Sequence, residues 1–295
     1  MSTEAADPRH ADLDRRPLED AVAAMWQGQS AAVAVVGDQL TAITRAARAA
    51  AERLRVGSAR LAYCGAGTSG RLAVQDGVEL VPTFGWSPER LVYLMAGGSD
   101  ALTGAVEGAE DDERTARAAI ATHAIGAADV VIALAASGRT PFTCAVIESA
   151  RAAGALTVGI ANNPGTRLLA AADHAILLDT GSEVIAGSTR MAAGTAQRAA
   201  LTVLSSAIMV ALGRVHQGRM VAMRATNAKL HTRAAAMVAD LAGVGEGAAE
   251  AALVTSGRDI ALAVLIARGL SPAAASAALA QHSGSLAAAL RELGE

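Results

Sequence analysis

The chain has 295 residues, 25 of them Lys or Arg against 28 Asp or Glu, for a net charge of −3. Aromatic residues are few (Trp26, Trp86, Tyr63, Tyr93, Phe84 and Phe142), so the chain lacks the stacking surfaces and basic groove of a single-strand nucleic-acid binder, and nucleic acid is excluded as an expected partner. Cys64 and Cys144 sit in apolar contexts with neither disulfide nor metal-ligand spacing, so no metal is expected.

The N-terminal stretch MSTEAADPRHADLDRR is polar and of mixed charge, with no apolar signal-peptide core. The uncharged, apolar stretch Ala199 to Gly213 is too short to span a bilayer and contains Thr202, Ser205 and Ser206. No membrane association and a cytoplasmic location are therefore expected. Residues 17 to 55 read as one or two Ala-rich helices, acidic at the start and Arg-bearing near the end.

From about residue 60 short apolar runs alternate with longer periodic ones. Strands are predicted at Leu61 to Cys64, Leu91 to Leu94, Val130 to Leu134, Leu156 to Ile160 and His174 to Leu178. Helices are predicted at about 69–79, 101–121, 141–153 and 190–213. Wholly apolar strands alternating with helices imply an α/β fold with a parallel sheet covered on both faces. The last 75 residues or so change character: helical runs are broken at Gly243–Gly247, Ser256–Gly257, Gly269–Pro272 and Ser283–Gly284, the pattern of a small helical bundle. No catalytic spacing is visible there.

Three loops carry the chemistry: GAGTSGRL (Gly65 to Leu72), AASGRTP (Ala135 to Pro141) and AGSTRMAAGT (Ala186 to Thr195). The first two follow strand-like runs and all three lead into helix-like runs. A helix start presents unpaired N–H groups and the positive end of the helix dipole, so hydroxyl-rich loops there suit an anion. Converging at one sheet edge, such loops would make a phosphate pocket, which points to a phosphorylated small molecule. Thr68, Ser69, Ser137 and Thr140 are the candidate phosphate contacts, with Gly67 and Gly138 allowing close backbone approach. Helix capping is the plainer role for the same hydroxyls, and the two roles are compatible. Among the 25 basic residues only Lys229 is lysine, which marks it as a candidate for a role needing an ammonium group.

The ordered set GAGTSGRL, MAGG (Met95 to Gly98), AVEGAEDD (Ala105 to Asp112), ASGRTP, GSTRMAAGTAQ (Gly187 to Gln197) and ATNAKLHTR (Ala225 to Arg233) resembles the bacterial N-acetylmuramic acid 6-phosphate etherases. The likeness spans nearly the whole chain. It implies an N-terminal helical segment over 1–54, a sugar isomerase (SIS) domain over 55–220 and a C-terminal helical region over 221–295. It further implies a cofactor-free lyase, homodimeric with its site near the subunit interface, that converts N-acetylmuramic acid 6-phosphate to N-acetylglucosamine 6-phosphate and D-lactate. The chain departs from the family pattern at Ala6 and Asp7, where Arg-Asn is usual, at Ala192, where a lysine is usual, and in the more apolar VELVPTFG.

Elimination of lactate needs one carboxyl to remove the proton beside the ring-opened aldehyde and another to protonate the leaving oxygen. By the resemblance Glu79 is the acid and Glu110 the base. Glu79 has apolar sequence neighbours, and burial would raise its pKa. Glu110 is expected on a helix beside Glu107 and Asp111, where like charges would raise one member's pKa. Ser188 and Thr189 are candidates to meet the sugar or its acetamide, and Lys229, with His231, to reach a site across a dimer. Arg71 and Arg139 read as structural. An aldose–ketose sugar-phosphate isomerase and a non-catalytic sugar-phosphate sensor are the competing readings.

Overall fold

Five apolar runs form a wholly parallel sheet in the order β2-β1-β3-β4-β5: β1 (Leu61–Gly65), β2 (Leu91–Met95), β3 (Val130–Ala135), β4 (Leu156–Ala161) and β5 (His174–Leu177). The structure is a computed structural model describing residues 2–294. Each strand is where the apolar pattern predicts it, to within a residue. The register is set by pairs such as Tyr63 with Ile132 and Ile132 with Val158. Every residue of β1 and β3 is buried, which is why these strands show no polar alternation.

The predicted N-terminal helix is two helices, α1 (Leu18–Gly37) and α2 (Leu40–Leu54). In α2 the buried residues Ile43, Ala46, Ala47, Ala50, Ala51 and Leu54 recur every three or four positions and form the stripe that lies against β3, β4 and β5. The remaining helices around the sheet are α3 (Gly67–Phe84), α4 (Glu113–Thr122), α5 (Pro141–Ala152), α6 (Arg167–Ala171) and α7 (Ala192–Ala211). Helix α5 packs on β1, β3 and β4, burying Phe142, Cys144, Ala145, Val146, Ile147 and Ala150.

One expectation fails here. The helix read over 101–121 is a 3-10 turn at Gly98–Leu102, a second at Ala109–Asp111, and only then α4. Gly108, at φ +70°, breaks the run, and Asp112 starts α4 by accepting a hydrogen bond from the Thr115 N–H at 2.9 Å. Helix α3 also outlasts its predicted end at 79, running through Pro82 to Phe84.

The chain divides into two compact units, Met1–Gly77 with Glu89–Ser205, and Val78–Pro88 with Ser206–Glu295. The division falls inside α3 and α7. In the second unit are α8 (Ala228–Ala242), α9 (Glu246–Thr255), α10 (Ile260–Ala267), α11 (Pro272–Gln281) and α12 (Leu286–Glu292). Helix α10, apolar in every residue, packs on α8, α9, α11 and α12. Asn227, Asp259, Ser271 and Ser285 each cap a helix by accepting a bond from an N–H three residues on. No helix among the described residues is long and apolar enough to cross a membrane.

Both cysteines are free and buried, and burial pushes the Cys144 thiol up to about 11. At the amino end of the sheet Asp129, 3% exposed, accepts from the Arg60 guanidinium at 2.7 Å and 3.1 Å and from the N–H groups of Arg60 and Gly126 at 3.0 Å. Burial alone would raise this carboxyl's pKa, but the hydrogen bonds override it and hold Asp129 below the ordinary value. Its contribution to stability is therefore present above the unfolded carboxylate pKa and is lost as pH falls through the lowered folded value. Asp129→Ala should cost about 1–3 kcal/mol in urea unfolding at neutral pH, because it removes the acceptor shared by the Arg60 guanidinium and the N–H groups of Arg60 and Gly126, although the guanidinium keeps the carbonyls of His123 and Ala124. The gap from the wild type should narrow as the pH is taken below the carboxylate range; a gap independent of pH would refute this account.

Candidate active site

Strand β1 pairs with β2 on one side and β3 on the other, so the chain leaves β1 and β3 in opposite directions along the sheet. Open parallel sheets hold ligands at such a reversal, outside the carboxyl ends of the strands. The first two hydroxyl-rich loops lie there, on neighbouring strands.

After β1 only Ala66 intervenes before α3. The first bond of α3 is from the Gly70 N–H to the Ala66 carbonyl at 3.0 Å, so the N–H groups of Gly67, Thr68 and Ser69 precede the helix's own ladder. This tight turn depends on glycine. A Cβ on Gly70 would lie 2.2 Å from Met95 Sδ and 2.7 Å from the Gly65 carbonyl oxygen. After β3, Ser137 Oγ lies 3.4 Å from Thr140 Oγ1 and accepts from the Arg139 N–H at 3.1 Å. Thr140 begins α5, but its side chain makes no capping bond to the helix. Gly138 has φ +63°, and a Cβ there would come within 2.3 Å of Thr166 Oγ1.

A cleft of about 470 Å³ opens beside the first loop. Its lining includes Gly67, Thr68, Arg71, Glu107 and Glu110. Glu110 thus shares a cleft with the first hydroxyl-rich loop. It sits on the exposed Ala109–Asp111 turn, without the helical neighbours that the sequence suggested. Arg71 ties this wall down: Nε donates to the Ala101 carbonyl at 3.0 Å and a terminal nitrogen donates to the Gly104 carbonyl at 2.7 Å. Its structural role follows from these bonds.

Glu79 is exposed, so within one chain it lacks the burial expected of it. Helix α3 turns Ala73, Asp76, Gly77, Leu80 and Phe84 inward, and Glu79 falls off that face. It belongs to the second unit, as does Lys229, which is exposed on α8. Neither lines the cleft.

The third loop behaves differently from the other two. Glu183, 1% exposed, accepts from the N–H groups of Ala192 and Ala193 at 2.8 Å and 2.9 Å. The start of α7 is therefore already occupied by a carboxylate and offers an anion nothing there. Ser188 and Thr189 remain half-buried beside it, and α7 begins against the first loop: a Cβ on Gly194 would lie 3.5 Å from Thr68 Cγ2. Buried amides hold this edge. Gln197 donates to Asn162 at 2.9 Å, Asn162 to the Leu178 carbonyl at 2.9 Å, and Asn163 to the Ala136 carbonyl at 2.9 Å. The N-terminal segment docks on the same edge, where Asn163 donates to Thr3 Oγ1 at 2.8 Å and Ser182 donates to Asp7 at 3.1 Å. The Asp7 carboxyl is held far below its usual value, chiefly by the Arg9 side chain.

Sequence reasoning missed Glu183, Asn162 and Asn163. Glu183 lies nine residues from the nearer N–H it caps, so no local capping signature marks it. Among the described residues no three His, Cys, Asp or Glu side chains cluster as metal ligands do.

Parallel sheet, order reversal and hydroxyl loops place the chain among SIS-domain proteins. Residues 42–151 match the family model of the glucokinase regulatory protein N-terminal SIS domain, and residues 116–207 that of the SIS domain. N-acetylmuramic acid 6-phosphate etherase from Deinococcus radiodurans is 51% identical over 90% of this chain and 86% of the relative. The etherase from Streptomyces coelicolor is 43% identical over 98% and 93%, and that from Cronobacter sakazakii 41% identical over 99% and 98%. The chain belongs to the N-acetylmuramic acid 6-phosphate etherase family.

Gly138→Ala should destabilise the fold by about 1–3 kcal/mol, combining a left-handed backbone with a clash on Thr166. It should also weaken sugar-phosphate binding by displacing Ser137 and Thr140. Unchanged urea midpoint and affinity, read by denaturation and calorimetry, would contradict the geometry.

Proposed function

We infer that this protein is a carbon–oxygen lyase that cleaves the D-lactyl ether of N-acetylmuramic acid 6-phosphate, giving N-acetylglucosamine 6-phosphate and D-lactate. Family membership supports the reaction, and the observation that carries the site is the cleft shared by the Gly67–Thr68 loop and Glu110. The phosphoryl group is held by Thr68, Ser69, Ser137 and Thr140 together with the leading N–H groups of α3, Gly67 and Gly138 permitting its close approach. Contacts this far from the reacting carbon hold the open-chain sugar in register and serve turnover through orientation.

Ring opening exposes an aldehyde that acidifies the hydrogen on the adjacent carbon. Glu110 removes that proton, and the electron pair forms the carbon–carbon double bond as the carbon–oxygen bond to lactate breaks. Glu79 gives its proton to the departing oxygen. Water then adds across the double bond to yield the product sugar. Ser188 and Thr189 face the sugar or its acetamide.

The enzyme acts as a homodimer in the cytoplasm. Leu18, Val22, Trp26 and Val33 are all at least half exposed and lie near one another around α1, an apolar face suited to a second copy. A second copy over α3 would supply the desolvation that Glu79 lacks in one chain, and Lys229 serves the site across the interface.

Purified protein incubated with N-acetylmuramic acid 6-phosphate should release D-lactate. Tight sugar-phosphate binding with no lactate would replace this reading with a sensor, and aldose–ketose interconversion would replace it with an isomerase. Glu110→Ala should abolish solvent hydrogen exchange at the carbon beside the aldehyde, with turnover falling by about 10²–10⁴-fold; exchange at the wild-type rate would remove Glu110 as base. Glu79→Gln should slow lactate release while leaving sugar-phosphate affinity largely intact, so unchanged turnover would clear Glu79 of the acid role.

A further inference from the structure

The second unit contains a pocket of about 500 Å³ that shares no residue with the cleft beside Glu110. It lies where Gly85 meets the segments 221–226 and 257–260. The approach is close: a Cβ on Gly85 would stand 2.3 Å from the Ala222 carbonyl oxygen. Arg214, Arg224 and Arg258 all line the pocket, with Asp259 as its one acidic residue.

The four charges are not equally committed. Asp259 is engaged at the start of α10, where it accepts from the Leu262 N–H at 2.8 Å, so the helix end is already capped. Arg258 is paired with Glu250 at 2.8 Å. It is also held at φ +71°, a conformation that disfavours a side chain and places Arg258 on the pocket wall. Arg214 is half-buried and faces both Asp259 and Arg224, hydrogen bonded to neither. Burial presses the Arg214 guanidinium below its ordinary value; the Asp259 carboxylate opposes this, and the like charge of Arg224 adds a smaller push the same way. With one carboxylate shared between a partly desolvated cation and a second cation, a further anion is favoured.

We propose that this pocket is a second anion site, which takes the phosphoryl group of a small phosphomonoester between Arg214 and Arg224. Charge selects the ligand class. Two guanidinium groups against the single Asp259 carboxylate leave the wall net positive, and a phosphomonoester has enough oxygens to bridge both forks, whereas a monocarboxylate's two oxygens serve only one. Guanidinium forks fit phosphoryl oxygens in paired hydrogen bonds, and the volume is that of a small-molecule pocket. The Thr226 hydroxyl on the wall adds a neutral partner. The site stands independently of the etherase reading, since it uses none of that reading's residues.

Hydrogen-exchange mass spectrometry of the full chain tests it, with inorganic phosphate as the probe, acetate as the carboxylate arm and chloride as the ionic-strength control. Phosphate should slow exchange in 221–226 and 257–260, while acetate and chloride leave these segments unchanged. Arg214→Gln and, separately, the exposed Arg224→Gln should each weaken that phosphate effect by about tenfold or more. Thr68→Ala with Ser137→Ala should leave it intact while abolishing phosphate protection of the loops after β1 and β3. No protection in 221–226 and 257–260, protection that survives both arginine substitutions, or an equal response to acetate would each overturn the proposal. Because loop and pocket protection are read in different peptides, failure of this site and failure of the phosphate loops are told apart in one experiment.

Discussion

The contact between the backbones of Gly65 and Gly70 sets the geometry of the sheet's carboxyl edge. A side chain at residue 70 would strike Met95 Sδ and the Gly65 carbonyl oxygen, and one at residue 65 would lie 2.7 Å from the Gly70 nitrogen. Only with both side chains absent can α3 start one residue after β1 ends. That start brings the N–H groups of Gly67, Thr68 and Ser69 to the place where the strand order reverses. Deeper in the same helix, Asp76 accepts from the Tyr63 hydroxyl at 2.8 Å and from Arg198 at 3.5 Å, linking β1, α3 and α7. The orientation of the first loop is thus fixed at both ends, by close approach at the turn and by a buried polar link in the helix.

With α3 so placed, the division of labour among the three loops is electrostatic. Each loop begins a helix and each carries small hydroxyl residues, yet only two starts remain open to an outside anion. The third is filled by Glu183, whose two oxygens take the N–H groups that a phosphate would have used. An internal anion there does two things. It holds the Ser188–Thr189 segment against a fixed helix end, and it places a negative charge on that side of the edge. The helix starts after β1 and β3 are left open, and there the hydroxyls of Ser137 and Thr140 stand together and Thr140 is not spent on capping.

Much of this was legible in the sequence, and what was not has a physical reason. The strands were legible because burial on both faces leaves continuous apolar runs, as in VVIALA of β3. The C-terminal helices were legible because Gly, Ser and Pro punctuate them at the observed breaks. The interruption at 103–112 was carried by Gly104 and Gly108, weak helix formers whose signal the Ala and Glu around them obscure, and the chain turns left-handed at Gly108. Glu183, Asn162 and Asn163 escaped for another reason. Their partners are set by where β4, β5 and α7 meet in space, and no periodicity within a segment reports that. Exposure of Glu79 belongs to the same class: apolar neighbours in sequence say nothing of which face of α3 a residue takes.

The two carboxyls assigned to the chemistry share one property: both Glu79 and Glu110 are exposed in the single chain. On the proposed reading, the environment that separates acid from base is therefore assembled rather than built in. On that reading bound sugar phosphate displaces water from the cleft beside Glu110, and a second copy covers α3 at Glu79. The fold contributes what must be rigid beforehand, the phosphoryl-binding turn and the wall that Arg71 pins through the carbonyls of Ala101 and Gly104. On that reading it leaves to association the cover that the single chain does not give Glu79.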